Sequence, residues 1–228
     1  MRREKRMIKL SKLPKPKILV DHAKQWTKEY CDCLSRGIKP SPEIASRYNN
    51  PIIKSTLERE TNGKCAYCES KIKHNSYGDI EHILPKNVEA RPDLYVEWTN
   101  LTLACEQCNR TGKRTYYNPA KPLINPYEDD PDEHFQVLGP MICYKPGDER
   151  AFITENKLNL NRSELITRRS ERISSVEKLL FSWEQATEDT IRDIISDQLL
   201  QECMPDKEFS FVIKYFLIAR GFPIDSAS

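Results

Sequence analysis

Four cysteines stand in two pairs, Cys65-x-x-Cys68 and Cys105-x-x-Cys108, 36 residues apart. Thiolates at this spacing are what a tetrahedral zinc ion takes, and a closed shell of four marks a structural ion rather than a catalytic one. Between the pairs lie Asp79, Glu81, His82 and Asn100, and Asn109 follows the last cysteine directly. Phosphodiester hydrolysis needs residues of these types. An imidazole of ordinary pKa ~6.5 is a suitable base for an attacking water. A hard divalent cation offsets charge on the phosphate and leaving oxygen. Mg²⁺ takes oxygen ligands, and the Glu81 carboxylate and Asn109 amide offer them, with His82 as the base and Asp79 a lower-ranked helper. Lys113 and Arg110 lie close enough to Asn109 in sequence to hold substrate phosphates, with Arg114 and Lys86 behind them. Solvated surface charge is the ordinary alternative for these four. Tyr116 and Tyr117 either stack on bases or are buried against the zinc module.

The elements that position these residues read as follows. Residues 1–63 comprise a basic arm, extended or flexible through residue 17, and two helices. The first runs from a capping Asp21 to Gly37, and the second from Pro51 to Asn62 before Gly63, with a break at Pro40–Pro42. In residues 64–118 the runs DIEHIL (79–84) and NLTLAC (100–105) are too short for helices and read as strands, and a short helix opens around Cys108–Lys113. Residues 119–160 form a loop-rich connector with short strands expected at 135–139, 141–145 and 151–154. Residues 161–228 form a helical region. Asn161 and Glu164 make a capping box, Ile166, Ile173, Val176, Leu180 and Trp183 recur at helical spacing, and Ile191, Ile194, Ile195 and Leu199 share a face. A last helix spans Glu208 to Arg220. The fold class is α+β.

Composition bounds the function. Hydrophobic residues are 38% and charged residues 31%, enough for a core under a highly charged surface. No apolar run nears the ~20 residues of a membrane span, and the start lacks a secretory h-region, so a soluble cytoplasmic protein is expected. Eight cysteines in such a setting do not make a disulfide framework, and Cys31, Cys33, Cys143 and Cys203 read as structural thiols. The net charge is only +2, so a basic channel for nucleic acid must be local or come from a partner. EDDPDE (128–133) reads as a solvated acidic loop. His134 after it is more readily a helix or strand start than a metal ligand with Asp129, Asp130 and Asp132. His22 and His74 have no motif around them.

The stretch CAYCESKI…GDIEHILPK…EWTNLTLACEQCNRTGK resembles an HNH endonuclease with the four-cysteine variant of the ββα-metal fold. The resemblance implies His82 as general base, Glu81 (in place of the more usual Asp) and Asn109 as ligands of the catalytic cation, and Asn100 as the residue that holds the loop and orients the base. A wider likeness, through PLINPYEDDPDEHF and LNLNR, resembles the PtuB nucleases of Septu-type anti-phage defence, a kind also found in certain retron systems. That resemblance implies an ABC/SMC-type ATPase partner, PtuA. In the retron version it also implies a reverse transcriptase and its RNA-linked DNA. The site residues alone do not separate a DNA substrate from an RNA such as tRNA. A zinc-dependent nucleic-acid-binding or adaptor subunit without activity is the alternative class. It accounts for the cysteines but not for Glu81, His82, Asn100 and Asn109 together.

Overall fold

The structure is a computed structural model and describes residues 9–72 and 78–224. The first eight residues of the basic arm, His74 and the last four residues lie outside the described residues.

Pro16 precedes α1 (Lys17–Ser35), so the helix begins four residues before Asp21. Asp21 does not cap it but pairs with Lys17 one turn back, at 3.2 Å. Gly37, at φ +68°, ends the helix as expected. The expected break at 40–42 instead starts a short helix, α2 (Pro42–Ser46), because proline is at home in a first turn that needs no N–H. α3 (Pro51–Glu60) repeats the device, with the Asn50 side chain accepting from the Ile52 amide at 2.9 Å.

The two expected strands form. β1 (Asp79–His82) pairs antiparallel with β2 (Leu101–Ala104), with Asp79 opposite Ala104, Glu81 opposite Thr102 and His82 opposite Leu101. The helix expected near Cys108 is a π-helix, Gln107–Lys113. Every residue of β2 is buried, since α3 packs against this strand. Residues 9–16 are not a loose arm. They run across β2 as a strap, with the Trp98 indole donating to the Leu13 carbonyl at 2.7 Å and the Leu10 amide to Pro126 at 2.8 Å. Glu60, at the end of α3, gathers the neighbours of this strap. It takes the Lys12 ammonium at 3.1 Å, the Leu13 amide at 2.9 Å and the Tyr127 hydroxyl at 2.6 Å.

In the connector, α4 (Pro131–His134) leads into the hairpin of β3 (Phe135–Leu138) and β4 (Met141–Tyr144), near the expected positions. The third expected strand, 151–154, lies inside a helix, α5 (Glu149–Leu158). The Asp148 carboxylate caps it by accepting from the Ala151 amide at 2.8 Å, a local signal stronger than a four-residue apolar run. His134 ends α4 with its Nδ1 2.6 Å from Asp148.

The helical region is α6 (Ser163–Gln185), α7 (Asp189–Glu202) and α8 (Ser210–Ala219). The Asn161 capping box does not form. The Asn161 amide instead clamps both backbone groups of Ile142, at 2.9 and 2.8 Å, and so ties the hairpin to the start of α6. Val176 and Leu180 pack with Leu199, Ile213 and Leu217, but Ile191 and Ile194 stay about half exposed, so the expected apolar face of α7 is only partly used. A second, larger core runs from Leu19 through β1 and β2 to Phe211, joining the N-terminal helices, the strands, the connector and α8. Among the described residues no helix is long and apolar enough to cross a membrane.

The π-helix is wedged against α5. A Cβ at Gly112 would stand 2.7 Å from the Lys157 carbonyl oxygen and 3.2 Å from the Leu158 Cα. Both are backbone atoms and cannot swing aside. Gly112→Ala is expected to cost ~1–3 kcal/mol, read as a lowered denaturant midpoint at unchanged slope. A midpoint equal to wild type would mean that the two helices are free to slide.

Candidate active site and metal centre

The first cysteine pair sits on a tight turn that needs Glu69 at φ +61° and is docked to β2 by the Ala66 amide donating to Leu103 at 2.9 Å. Cys105 follows β2 and Cys108 lies in the π-helix. The four sulfurs all fall within 4.8 Å of one another, and Cys65, Cys68 and Cys108 are buried. The Cys68–Cys105 separation is 3.8 Å, the edge of ~3.8 Å that a tetrahedron of ~2.3 Å Zn–S bonds has. The cluster therefore fits one tetrahedral zinc ion. Among the described residues it is the sole group of three or more His, Cys, Asp or Glu placed to share an ion. Cys31, Cys33, Cys143 and Cys203 stand apart from this cluster.

A residue that the sequence reading missed closes this centre. Arg162, 94 residues beyond Cys68, places its guanidinium 3.8 Å from the sulfurs of Cys108 and Cys68 and 3.9 Å from that of Cys105. Burial opposes its charge, but the Cys68, Cys108 and Cys105 thiolates outweigh that and raise its pKa. Arg169, two turns along α6, is fully buried, and its Nε and one terminal nitrogen have no hydrogen-bond partner.

The chemistry-bearing residues converge beside the zinc module. His82 is 6% exposed, and its Nε2 stands 2.8 Å from the Tyr95 carbonyl oxygen. A carbonyl only accepts, so Nε2 carries the proton and Nδ1 keeps its lone pair. Burial, then Lys86 and Lys113, lower the His82 pKa to about 3, against the Tyr95 bond, so the ring is neutral at physiological pH. Asn100, also buried, grips the loop from both ends. Its amide oxygen accepts from the Leu84 amide at 2.8 Å, and its nitrogen donates to the Leu84 and Leu94 carbonyls at 2.9 and 3.3 Å. These contacts flank His82 on one side and the Tyr95 carbonyl on the other.

Asp79 and Glu81 alternate along β1 and so share a face, which meets the π-helix. Asp79 holds Arg110 through two bonds of 2.9 and 2.8 Å and accepts from the Asn109 amide nitrogen at 3.2 Å. Glu81 is 5% exposed, with its Oε1 2.6 Å from the Lys113 ammonium, a close charge contact without a well-aligned hydrogen bond. Burial raises the Glu81 pKa against the pull of Lys113. Glu81 thus offers a buried carboxylate whose Oε1 here takes the Lys113 ammonium, and an oxygen donor of this kind suits a hard divalent cation. Lys113 is turned inward, 3% exposed, and donates to the His82 carbonyl at 2.8 Å, so it does not project toward solvent as a phosphate contact would. Arg110 is exposed but engaged by Asp79.

Tyr48, between α2 and α3, was also missed. Its ring meets His82 edge-on at 4.7 Å, and Lys86 sits over it at 3.7 Å. Burial lowers the Lys86 pKa to about 8, against the pull of Glu81. Tyr30 of α1 stacks on Tyr95 at 4.1 Å, stiffening the residue whose carbonyl holds His82. No local motif marks these tyrosines.

Residues 65–114, which carry this strand, strand and helix arrangement, match the HNH endonuclease family. The chain thus carries an HNH domain within a larger structure. It is 33% identical over 222 residues to Septu protein PtuB of Bacillus thuringiensis, covering 91% of this chain and 80% of that one, and it belongs to the Septu PtuB family. Septu protein PtuB of Bacillus mycoides strain KBAB4 is 35% identical over 159 residues, 57% of this chain and 54% of that one. Septu protein PtuA of the same strain is 28% identical over 196 residues, 73% of this chain but 26% of that one. No solved structure matches.

Proposed function

We propose that this protein is a metal-dependent HNH endonuclease that hydrolyses nucleic-acid phosphodiester bonds as the effector of an anti-phage defence complex. The observation that carries the reading is the His82 ring, fixed through Nε2 on the Tyr95 carbonyl, with the Nδ1 lone pair turned away from that bond and left for a water. Asn100 is a positioning residue that fixes both ends of the loop on which this geometry depends. Glu81 and the amide oxygen of Asn109 hold a divalent cation, Mg²⁺ or one like it. That ion supplies charge stabilisation at the phosphate and leaving oxygen. Zinc on the four cysteines is structural. Arg110 is the remaining candidate for a phosphate contact, and Lys113 acts on Glu81.

The partner in this reading is a PtuA-type ATPase, supported by the family membership. The match to part of a protein named PtuA adds to it, since the same kind of module occurs within that longer chain. A retron reverse transcriptase with its RNA-linked DNA is a further candidate partner. The near-neutral net charge of +2 favours an isolated chain that binds nucleic acid weakly and gains a basic channel in the complex. The cytoplasm is the expected compartment.

The test is to incubate the reconstituted complex with phage DNA, plasmid and total RNA. Chelating Mg²⁺-type cations is expected to abolish cleavage, while circular dichroism and zinc content stay unchanged. Loss of fold under mild Mg²⁺ chelation would show the metals to be assigned to the wrong sites. Binding without any cleavage, in every divalent metal, would favour the adaptor reading.

A further inference from the structure

On the far side of the Asn100 clamp lies a cavity of about 340 Å³. Ile83 and Leu84, the two residues after His82, line it, together with Asn100 itself. Tyr67 of the first cysteine turn and Tyr116 and Tyr117 beyond the π-helix supply its aromatic surface. The last two lie outside the HNH match at 65–114, so this wall is an addition to the nuclease core.

The volume falls at the lower end of the ~300–1,000 Å³ range of small-ligand sites and suits one planar ring system with its sugar. The charge argues against a phosphate site. Both arginines at the cavity are engaged, Arg91 by Asp93 at 2.6 Å and Arg150 by Asp129 at 2.6 Å. The Tyr67 ring forms part of the wall, while its hydroxyl is buried behind it. Burial keeps it protonated. Tyr116 is held in place by its hydroxyl donating to the Lys121 carbonyl at 2.9 Å. A cavity walled by three tyrosine rings, with both arginines engaged and the acidic Glu128 at its lining, fits a nucleobase, which has flat faces to stack, and not a phosphate.

We propose that this cavity receives one base of the strand being cut, swung out of its stack next to the scissile phosphate and held on the tyrosines. This rests on the nuclease reading above. A strand whose phosphate faces His82 passes Ile83 and Leu84 within a nucleotide of the cut, so the base enters from the reacting strand. The cavity then does two things that the catalytic residues do not. It fixes the register of the strand, and it favours sites where a base is already unpaired.

The test uses the full chain in complex with its ATPase partner. Oligonucleotides spanning a mapped cut, as DNA and as RNA, carry a single abasic position moved one step at a time. Wild type is expected to show a roughly tenfold rise in KM at one position near the cut, the size of a lost base–aromatic stack. Tyr117→Ala, and Thr99→Trp at the exposed rim, are expected to show that rise on intact substrate and no further rise with the abasic one. A flat abasic scan, or variants with wild-type KM, would overturn the proposal. A binding readout separates it from the nuclease reading. In the His82→Ala complex, 2-aminopurine at the sensitive position is expected to be quenched on binding, and Thr99→Trp to remove the quenching. Quenching without cleavage by wild type would sink the nuclease reading alone, and cleavage without quenching would sink the cavity proposal alone. If Thr99→Trp weakens assembly with the ATPase partner instead, the cavity takes a protein side chain and the proposal fails.

Discussion

His82→Ala is expected to lower cleavage by the complex by ~10²–10⁴-fold, the usual contribution of a positioned general base, while leaving nucleic-acid binding intact. The size follows from how the ring is held. Its Nε2 is committed to the Tyr95 carbonyl, Tyr48 and Tyr95 flank it, and Asn100 secures the loop on both sides. Among the described residues no other imidazole substitutes, since His22 stacks on Trp26 and His134 bonds Asp148. The measurement is a single-turnover cleavage rate with protein in excess, alongside a binding isotherm. A rate within threefold of wild type would remove His82 from the chemistry. A parallel loss of binding would make it a packing residue of the Tyr48–Tyr95 cluster.

Cys68→Ser is expected to have the largest effect on the fold. Cys68 is fully buried, lies 3.8 Å from the Cys105 sulfur, and contacts Ser70 and Arg162. Zinc bound by four thiolates carries a net charge of −2, and structural zinc contributes ~10–16 kcal/mol of apparent binding free energy in small domains. Losing it separates the turn before β1 from the π-helix after β2, whose Asn109 and Arg110 engage Asp79 and whose Lys113 meets Glu81. It also strips the counter-charge from Arg162 and from buried Arg169, whose unpartnered donors already leave it dependent on nearby anions. The damage therefore spreads along α6. Zinc content and hydrogen exchange read this directly. One zinc per chain is expected in wild type and substantially less in the variant, with exchange rising in both 79–113 and 163–185. Full zinc occupancy, or exchange confined to the cysteine turns, would contradict this account.

The strands and the small helix of the site were legible because each is bracketed by chemistry that permits little else. Short apolar runs end in Pro85 and Cys105, and the C-x-x-C pairs force turns. The placement of Asn100 was legible through the family likeness, and its two-ended grip on the loop accounts physically for the role that likeness implies. Other features rest on contacts between distant segments. Nothing near Tyr48 says that it will lie on His82, and nothing near Arg162 says that it will reach three sulfurs. Local cues were also overridden. The apolar run at 151–154 became helix once Asp148 capped it, and Asn161 left its capping role for the Ile142 backbone. Lys113 reads in the sequence as a phosphate contact, yet Glu81 and the His82 carbonyl draw it inward.

Glu60 shows why the matched segment is not a portable cassette. One carboxylate at the end of α3, outside residues 65–114, receives the strap and the Tyr127 hydroxyl, and Tyr127 in turn contacts Thr102 opposite Glu81. Excising the HNH stretch would bare one side of β2 and free the strand from its register keepers. Inheritance of this HNH domain is thereby tied to the strap, α3 and Tyr127 that surround it. A recombination event that moved residues 65–114 alone would transfer the motif without the scaffold that aligns it.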